Sequence, residues 1–263
     1  MSPALTLALT VALLGDVPYS QSQANLLDGM IDRINAAKPA FVVHVGDLTA
    51  GQGPCTDEWL EARKAQFGRF AAPFVLLPGD NDWTDCHRTG FDPKERLARW
   101  RELFCVPVPS LALVRQDGPY CENVRWIAGD LVFVGLHVVG SNNNLREDPI
   151  EHGERMEAVL RWLDEAEALA RTRDGLVVLM QANPFLKPRL GGANGFDAVL
   201  ARLRRLGETM PGRVLLVNGD THRFKDDEPL PGLRRTEVYG WPHMKWTRME
   251  RDAGGTIRLV PEE

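Results

Sequence analysis

Gly79-Asp80-Asn81-Asp82 closes a short apolar run, Phe74-Val75-Leu76-Leu77, that reads as a buried strand. Two carboxylates flank a carboxamide where that strand should end. The same pattern recurs along the chain. Leu13-Leu14 runs into Gly15-Asp16, Val43-His44-Val45 into Gly46-Asp47, and Leu216-Val217-Asn218 into Gly219-Asp220-Thr221-His222. One Gly-Asp is ordinary turn chemistry. Four of them, each after a hydrophobic strand, gather carboxylates along one edge of a sheet. Clustered carboxylates raise one another's pKa unless positive charge sits among them. A metal ion is the natural resident, and oxygen-rich ligation suits divalent ions.

Working outward, the loops sit in strand–helix alternation. Ala4 to Leu14 is expected to form the first strand. It is apolar enough to resemble a signal-peptide core, but has no Lys or Arg before it and no small-residue cleavage site after it. It is also too short to span a bilayer as a helix. Ser20 or Ser22 caps a helix whose apolar positions are Leu26, Leu27, Met30, Ile31 and Ile34. Ala40 to Val45 is a strand, and a helix is expected from about Asp57 to Phe70. Beyond the Gly79 loop come a dense polar stretch, Trp83 to Phe91, and a helix from Pro93 to Phe104.

Residues 105 to 123 read as loop. Val124–Ile127 and Leu131–Val139 form a hairpin turning at Gly129-Asp130, and Ser141-Asn142-Asn143-Asn144 is a polar loop. The clearest helix runs from Glu154 to Arg171. A strand from Leu176 to Met180 ends at Gln181-Ala182-Asn183-Pro184. A helix from Phe196 to Leu206 and a strand from Val214 to Val217 follow. The tail from Arg234 is expected to be antiparallel strands. This alternation marks a parallel α/β unit, whose sites form beyond the carboxyl ends of strands. No linker is evident, so residues 1–263 read as one domain.

The 263 residues are 44% hydrophobic and 25% charged, as in an ordinary globular protein. A net charge of −5 argues against a nucleic-acid platform. The cysteines are Cys55, Cys86, Cys105 and Cys121, with no CxxC, which disfavours a zinc knuckle. Cys55 and Cys86 each follow a Gly-Asp loop and should approach each other; Cys105 and Cys121 bracket one irregular stretch. Two disulfides or four free thiols both remain open. The cytoplasm is the default without a leader, whereas a Cys55–Cys86 bridge or a removed leader would point to the periplasm or to secretion.

Together the loops resemble the calcineurin-like metallophosphoesterase superfamily, which includes the purple acid phosphatases. Its pattern is Asp-x-His, Gly-Asp, Gly-Asn-His-Asp/Glu, a histidine ending a strand, then Gly-His-x-His. Asp16 fits the first aspartate, with Pro18 where the family has histidine. Tyr19 is a candidate ligand, as a tyrosine is in purple acid phosphatases. Asp47 fits the bridging aspartate. Asp80 replaces the metal-binding asparagine, and Asn81 replaces the histidine that meets substrate or protonates the leaving group. Asp82 fits the acid that orients it. Gln181, or alternatively Asn183, stands near a metal histidine's position. Asp220 replaces the first histidine of Gly-His-x-His, and His222 fits the second.

The resemblance implies a four-layer α/β/β/α sandwich and a metal-dependent phosphoesterase, with a small-molecule phosphate mono- or diester as substrate. The changes run one way, from histidine or carboxamide to other oxygen ligands. Two divalent ions, about +4 in charge, would be neutralised by four carboxylates. Mn²⁺ or Mg²⁺ is therefore favoured, Ca²⁺ acceptable, and zinc or iron less so. Arg88, Lys187 and Arg189 are candidates to compensate for the lost attraction to phosphate. His87 or His137 would supply a leaving-group proton, though a packing role is the default for His137, as for His44, His152 and His243. The alternative is a catalytically silent binding protein on the same scaffold, holding at most one structural metal.

Overall fold

Strands β1 (Leu9–Leu14), β2 (Phe41–His44) and β3 (Phe74–Leu76) are buried almost without break. Both of their faces are covered, which is why they read as continuous apolar runs rather than alternating ones. The computed structural model describes residues 9–108, 110–186 and 192–263. The beginning of the expected first strand, residues 4–8, lies outside the described residues. The three strands are parallel, and β1 also pairs with an antiparallel hairpin, β11 (Trp246–Arg251) and β12 (Ile257–Glu262). The order of this first sheet is β12-β11-β1-β2-β3.

The second sheet contains β4 (Val114–Arg115), β5 (Val124–Ala128), β6 (Leu131–Gly135), β7 (Gly175–Leu179), β8 (Val214–Asn218), β9 (Lys225–Leu230) and β10 (Leu233–Glu237). Its order is β4-β5-β6-β7-β8-β10-β9. Val11, Leu13, Val43 and Val75 of the first sheet pack on Phe133, Val177 and Leu215 of the second. Phe41 meets Trp126 and Phe133 edge-on, with ring centroids 5.4 and 5.1 Å away.

Helices α1 (Gln21–Ala37), α2 (Asp57–Phe67) and α3 (Pro93–Phe104) cover the outer face of the first sheet, burying Leu27, Ile31, Leu60 and Trp100 against Ala12, Leu14 and Val42. After a short turn, α4 (Gly140–Asn143), helices α5 (Pro149–Ala170) and α6 (Asp197–Thr209) cover the second sheet. They bury Val159, Leu163 and Leu203 against Val134, Val178 and Leu216. The four layers are α/β/β/α, as the family resemblance implies.

Several local expectations need correction. Ser20, not Ser22, caps α1 by accepting the Gln23 N–H. α2 ends at Phe67, short of Phe70. α5 begins five residues before Glu154, because Asp148 caps it and Pro149 suits a first turn. α6 runs past Leu206 to Thr209. β6 stops at Gly135, short of Val139, although the Leu136 N–H still donates to the Leu179 carbonyl at 2.9 Å. The tail is not wholly antiparallel: β10 lies parallel to β8 on one side and antiparallel to β9 on the other, whereas β11 and β12 run against their neighbours.

The chain holds two disulfides, Cys55–Cys86 and Cys105–Cys121, each with Cα atoms 5.8 Å apart. Among the described residues no helix is long and apolar enough to cross a membrane.

Candidate metal centre

The carboxyl ends of β1, β2 and β3 in one sheet and of β7 and β8 in the other open on the same edge. Contacts between their loops establish this. The Asp220 N–H, beyond β8, donates to both Asp16 oxygens, beyond β1, at 3.1 and 3.2 Å. Gln181, beyond β7, donates to Asp47 Oδ2, beyond β2, at 3.0 Å. The Asn81 N–H, beyond β3, donates to Asp47 Oδ1 at 3.1 Å. Asp16, Asp47, Asp80 and Asp220 therefore converge.

The Gly-Asp pattern has two physical causes. Asp16, Asp47 and Asp220 have φ of 55°, 62° and 81°, left-handed values that aspartate accepts better than most residues. The glycines admit the neighbouring loop: a Cβ on Gly79 would collide with the Asp47 carboxylate, and one on Gly219 with that of Asp16.

Burial dominates the electrostatics. It raises the Asp16 and Asp47 carboxyls well above the usual range, and the neighbouring carboxylates raise them further. Burial and then Asp80 push Asp220 up to about 7. Asp80 is raised by burial and eased by the Ser141 hydroxyl and Arg88. Tyr19 is raised by burial and then by Asp47; its hydroxyl lies 3.2 Å from Asp47 Oδ2 and 3.1 Å from His222 Nε2. His222 Nδ1 donates to the Trp241 carbonyl at 2.7 Å, which leaves Nε2 unprotonated, its lone pair toward the Tyr19 hydroxyl and 3.8 Å from Asp16 Oδ1. Metal-binding histidines are held in this manner.

Three buried acids, the half-buried Asp220, a phenol, a carboxamide and an imidazole with an unprotonated nitrogen fit divalent cations in charge and in donor type. The acids and His222 form a loose ring in which, among the described residues, no three ligand atoms lie within 4.8 Å of one another. The ring is spanned by Tyr19, Gln181 and Ser141. Among the described residues, the one trio of Cys, His, Asp or Glu ligand atoms lying within 4.8 Å of one another is Cys105, Cys121 and Glu122. Its sulfurs are joined in a disulfide, which takes them out of metal binding.

A profile of the calcineurin-like phosphoesterases matches residues 9–228. The chain belongs to the calcineurin-like phosphoesterase family. Membership makes it a hydrolase of phosphoester bonds. This phosphoesterase is similar in fold to a dimetal phosphatase from Danio rerio, with a TM-score of 0.60 at 14% identity over 97% of this chain and 98% of that one. PhoD gives 0.59 at 13% identity, over 94% of this chain and 65% of that one. A purple acid phosphatase from yellow lupin (Lupinus luteus) gives 0.54 at 12%, over 98% and 54%. In sequence, no curated protein matches it.

Other expected site residues of this phosphoesterase are placed less simply. Asn81 reaches the ring, with Nδ2 3.4 Å from the Tyr19 hydroxyl. Arg88 stands at the rim, paired with Asp85 at 2.6 Å. His87 is exposed beside it and bonded to the Thr84 carbonyl at 2.7 Å. Asp82 does not orient the Asn81 side chain. It accepts the N–H groups of Asp47, Leu48 and Gly79 and so ties two loops together. The Asn183 side chain turns from the acids to Glu237, at 2.9 Å, and only its backbone N–H meets Asp220.

His137 is not in the ring. It is fully buried against Trp83, with Nδ1 2.8 Å from Glu122, which sets it apart from the acids, beside which it was expected to serve as a proton donor. Lys187 and Arg189 lie outside the described residues. Sequence reading missed three residues. Glu237 braces the Asp220–His222 loop by accepting the Thr221 N–H at 3.0 Å and pairing with Lys225 at 2.8 Å. Asp85 and Ser141 contact each other at 3.0 Å, and Ser141 also reaches Asp80. Asp85 lay within a stretch noted for its polar density; neither Ser141 nor Glu237 follows a Gly-Asp signal.

Proposed function

We propose that the protein hydrolyses a phosphate mono- or diester with the help of two divalent cations held by Asp16, Asp47, Asp80, Asp220 and His222, with Tyr19 and Gln181 beside them. One observation carries the reading. Four carboxylates from four separate strand ends, three of them buried and Asp220 half-buried, are gathered with their pKa values raised, an arrangement that calls for positive charge.

Divalent cations there would polarise a phosphoryl oxygen and lower the pKa of a water for attack on phosphorus. The chain's own groups supply the rest. Asn81 has an amide N–H to offer a phosphoryl oxygen, but no proton for a leaving group at neutral pH. Arg88 faces the same rim, its charge partly answered by Asp85. His137 is enclosed with Glu122, so His87 is the remaining imidazole for leaving-group protonation. Lys187 and Arg189 remain candidates for phosphate contact. The oxygen-rich ring favours Mn²⁺ or Mg²⁺, accepts Ca²⁺, and suits zinc or iron less well. Two disulfides favour an oxidising compartment such as the periplasm or the cell exterior.

The test is hydrolysis by metal-stripped protein resupplied with single metals. A phosphomonoester and a phosphodiester of one chromogenic alcohol distinguish the substrate classes. Turnover with Mn²⁺ or Mg²⁺ is expected. No turnover with any metal, by protein that still binds Mn²⁺, would favour a silent binding protein.

A further inference from the structure

Between β6 and α5 the backbone makes a turn of the wrong hand. Ser141 and Asn142 have φ/ψ of 48°/45° and 54°/35°, and Asn143 and Asn144 continue at φ 54° and 61°. Asparagine visits this region readily, but serine does so at a cost. A run of four left-handed residues persists only when its surroundings hold it there.

The surroundings do so thoroughly. Arg155 of α5 is fully buried, and its guanidinium is devoted to this turn. It donates to the Asn143 side chain at 2.7 Å, the Asn143 carbonyl at 3.0 Å and the His137 carbonyl at 2.9 Å. Glu151 holds it from behind at 2.6 Å. Asn142 Oδ1 accepts the Gly195 N–H at 2.9 Å, and Gln181 accepts that of Gly140 at 2.6 Å.

All of this presents one side chain. The Ser141 hydroxyl lies 2.7 Å from Asp80 Oδ2 and 3.0 Å from Asp85 Oδ1. Its single hydrogen is shared between two carboxylates that would otherwise face each other unbridged. Asp85 in turn holds Arg88 at 2.6 Å, and Arg88 also donates to the Gly51 carbonyl at 3.3 Å. Gly140 allows the close approach, since a Cβ there would stand 2.6 Å from Asp80 Oδ1.

We propose that Ser141 is a positioning residue of the metal centre. It pins one oxygen of Asp80 and bridges that carboxylate to the Asp85–Arg88 pair, so that ligand and rim cation keep a fixed relation. The proposal rests on the metal-binding reading above. A hydrogen bond to a metal-ligating carboxylate acts on metal affinity as well as on turnover.

Two substitutions separate positioning from plain structural support. Ser141→Ala removes the hydroxyl and keeps the backbone strain. Ser141→Gly removes the hydroxyl and relieves that strain, because glycine adopts positive φ freely. Mn²⁺ binding to the full chain is titrated by calorimetry, and thermal melting is followed in EDTA. Both variants should lose about tenfold or more in Mn²⁺ affinity, while Ser141→Gly melts above Ser141→Ala. Wild-type affinity in either variant, or affinity restored by glycine in step with stability, would overturn the proposal and leave the metal reading intact. A wild type that binds no Mn²⁺ would overturn both.

Discussion

Asp82 accepts the backbone N–H of Asp47 at 3.1 Å, and its second oxygen takes that of Leu48 at 2.8 Å. The carboxylate beyond β3 thus fixes the direction of the one beyond β2. A third donor, the Gly79 N–H at 2.8 Å, closes its own loop. Asp82→Ala leaves these buried donors without an acceptor, each worth roughly 1–3 kcal/mol. Urea unfolding should show a loss of about 3 kcal/mol or more, with Mn²⁺ affinity falling alongside. A loss below about 1 kcal/mol would show that water replaces the carboxylate and that Asp82 is not the tie.

Stability should depend on pH in a direction set by the acids. Asp82 and Asp220 titrate near 7 when folded, against about 3.8 unfolded, and Asp16 and Asp47 are raised well beyond that reference. The folded state therefore keeps protons that the unfolded chain has released, so their contribution is lost as pH rises through the folded values. Buried His44, lowered to about 4, and His137, His152 and His222, all lowered chiefly by burial, act in the opposite sense, gaining stability up to about 6.5. Above that value the acids stand alone. In EDTA, the melting temperature should fall from about pH 6.5 to 8. Saturating Mn²⁺ should reverse the trend, since it binds the deprotonated ring. A metal-free melting temperature that climbs through this range would contradict the raised acids.

Asp80→Asn removes one charge from the ring and restores a carboxamide. The variant should shift preference from Mn²⁺ or Mg²⁺ toward softer metals and should bind inorganic phosphate more tightly. Activation of metal-stripped wild type and variant by each ion is the measurement. A wild type activated best by Zn²⁺, with an unchanged order in the variant, would show that the extra carboxylate does not set the choice.

The two disulfides should differ in what their loss does. The Cys55 and Cys86 sulfurs lie 3.8 and 3.5 Å from the Asn81 carbonyl, and Cys86 sits in the turn that carries Asp85 and Arg88. Cys105–Cys121 has no such contact with the ring. They close separations of 31 and 16 residues, so removing either pair should cost about 3–4 kcal/mol on the chain-entropy view. Only the Cys55→Ala/Cys86→Ala variant should also lose turnover in the folded state, measured well below its melting temperature. Equal activity in both double variants would mean that the Asn81 loop holds itself.

The strand-ending acids were legible because their causes are local. A Gly-Asp pair after an apolar run encodes both a left-handed aspartate and the small neighbour that lets the next loop approach. The strand-end placement of Asp16, Asp47, Asp80, Asp220 and His222 follows from that pattern, and so does a parallel α/β unit, because continuous apolar strands require two covered faces; the four layers came from the family resemblance. The tertiary structure alone decided which partner each side chain serves. Asp82 ties backbone between two loops, His137 answers Glu122, Glu237 braces the His222 loop, and Ser141 bridges Asp80 to Asp85. A buried polar atom is satisfied by whatever the fold brings within about 3 Å. In this chain those partners lie in other loops and elements, from 12 to 61 positions away, a distance over which no local pattern reaches.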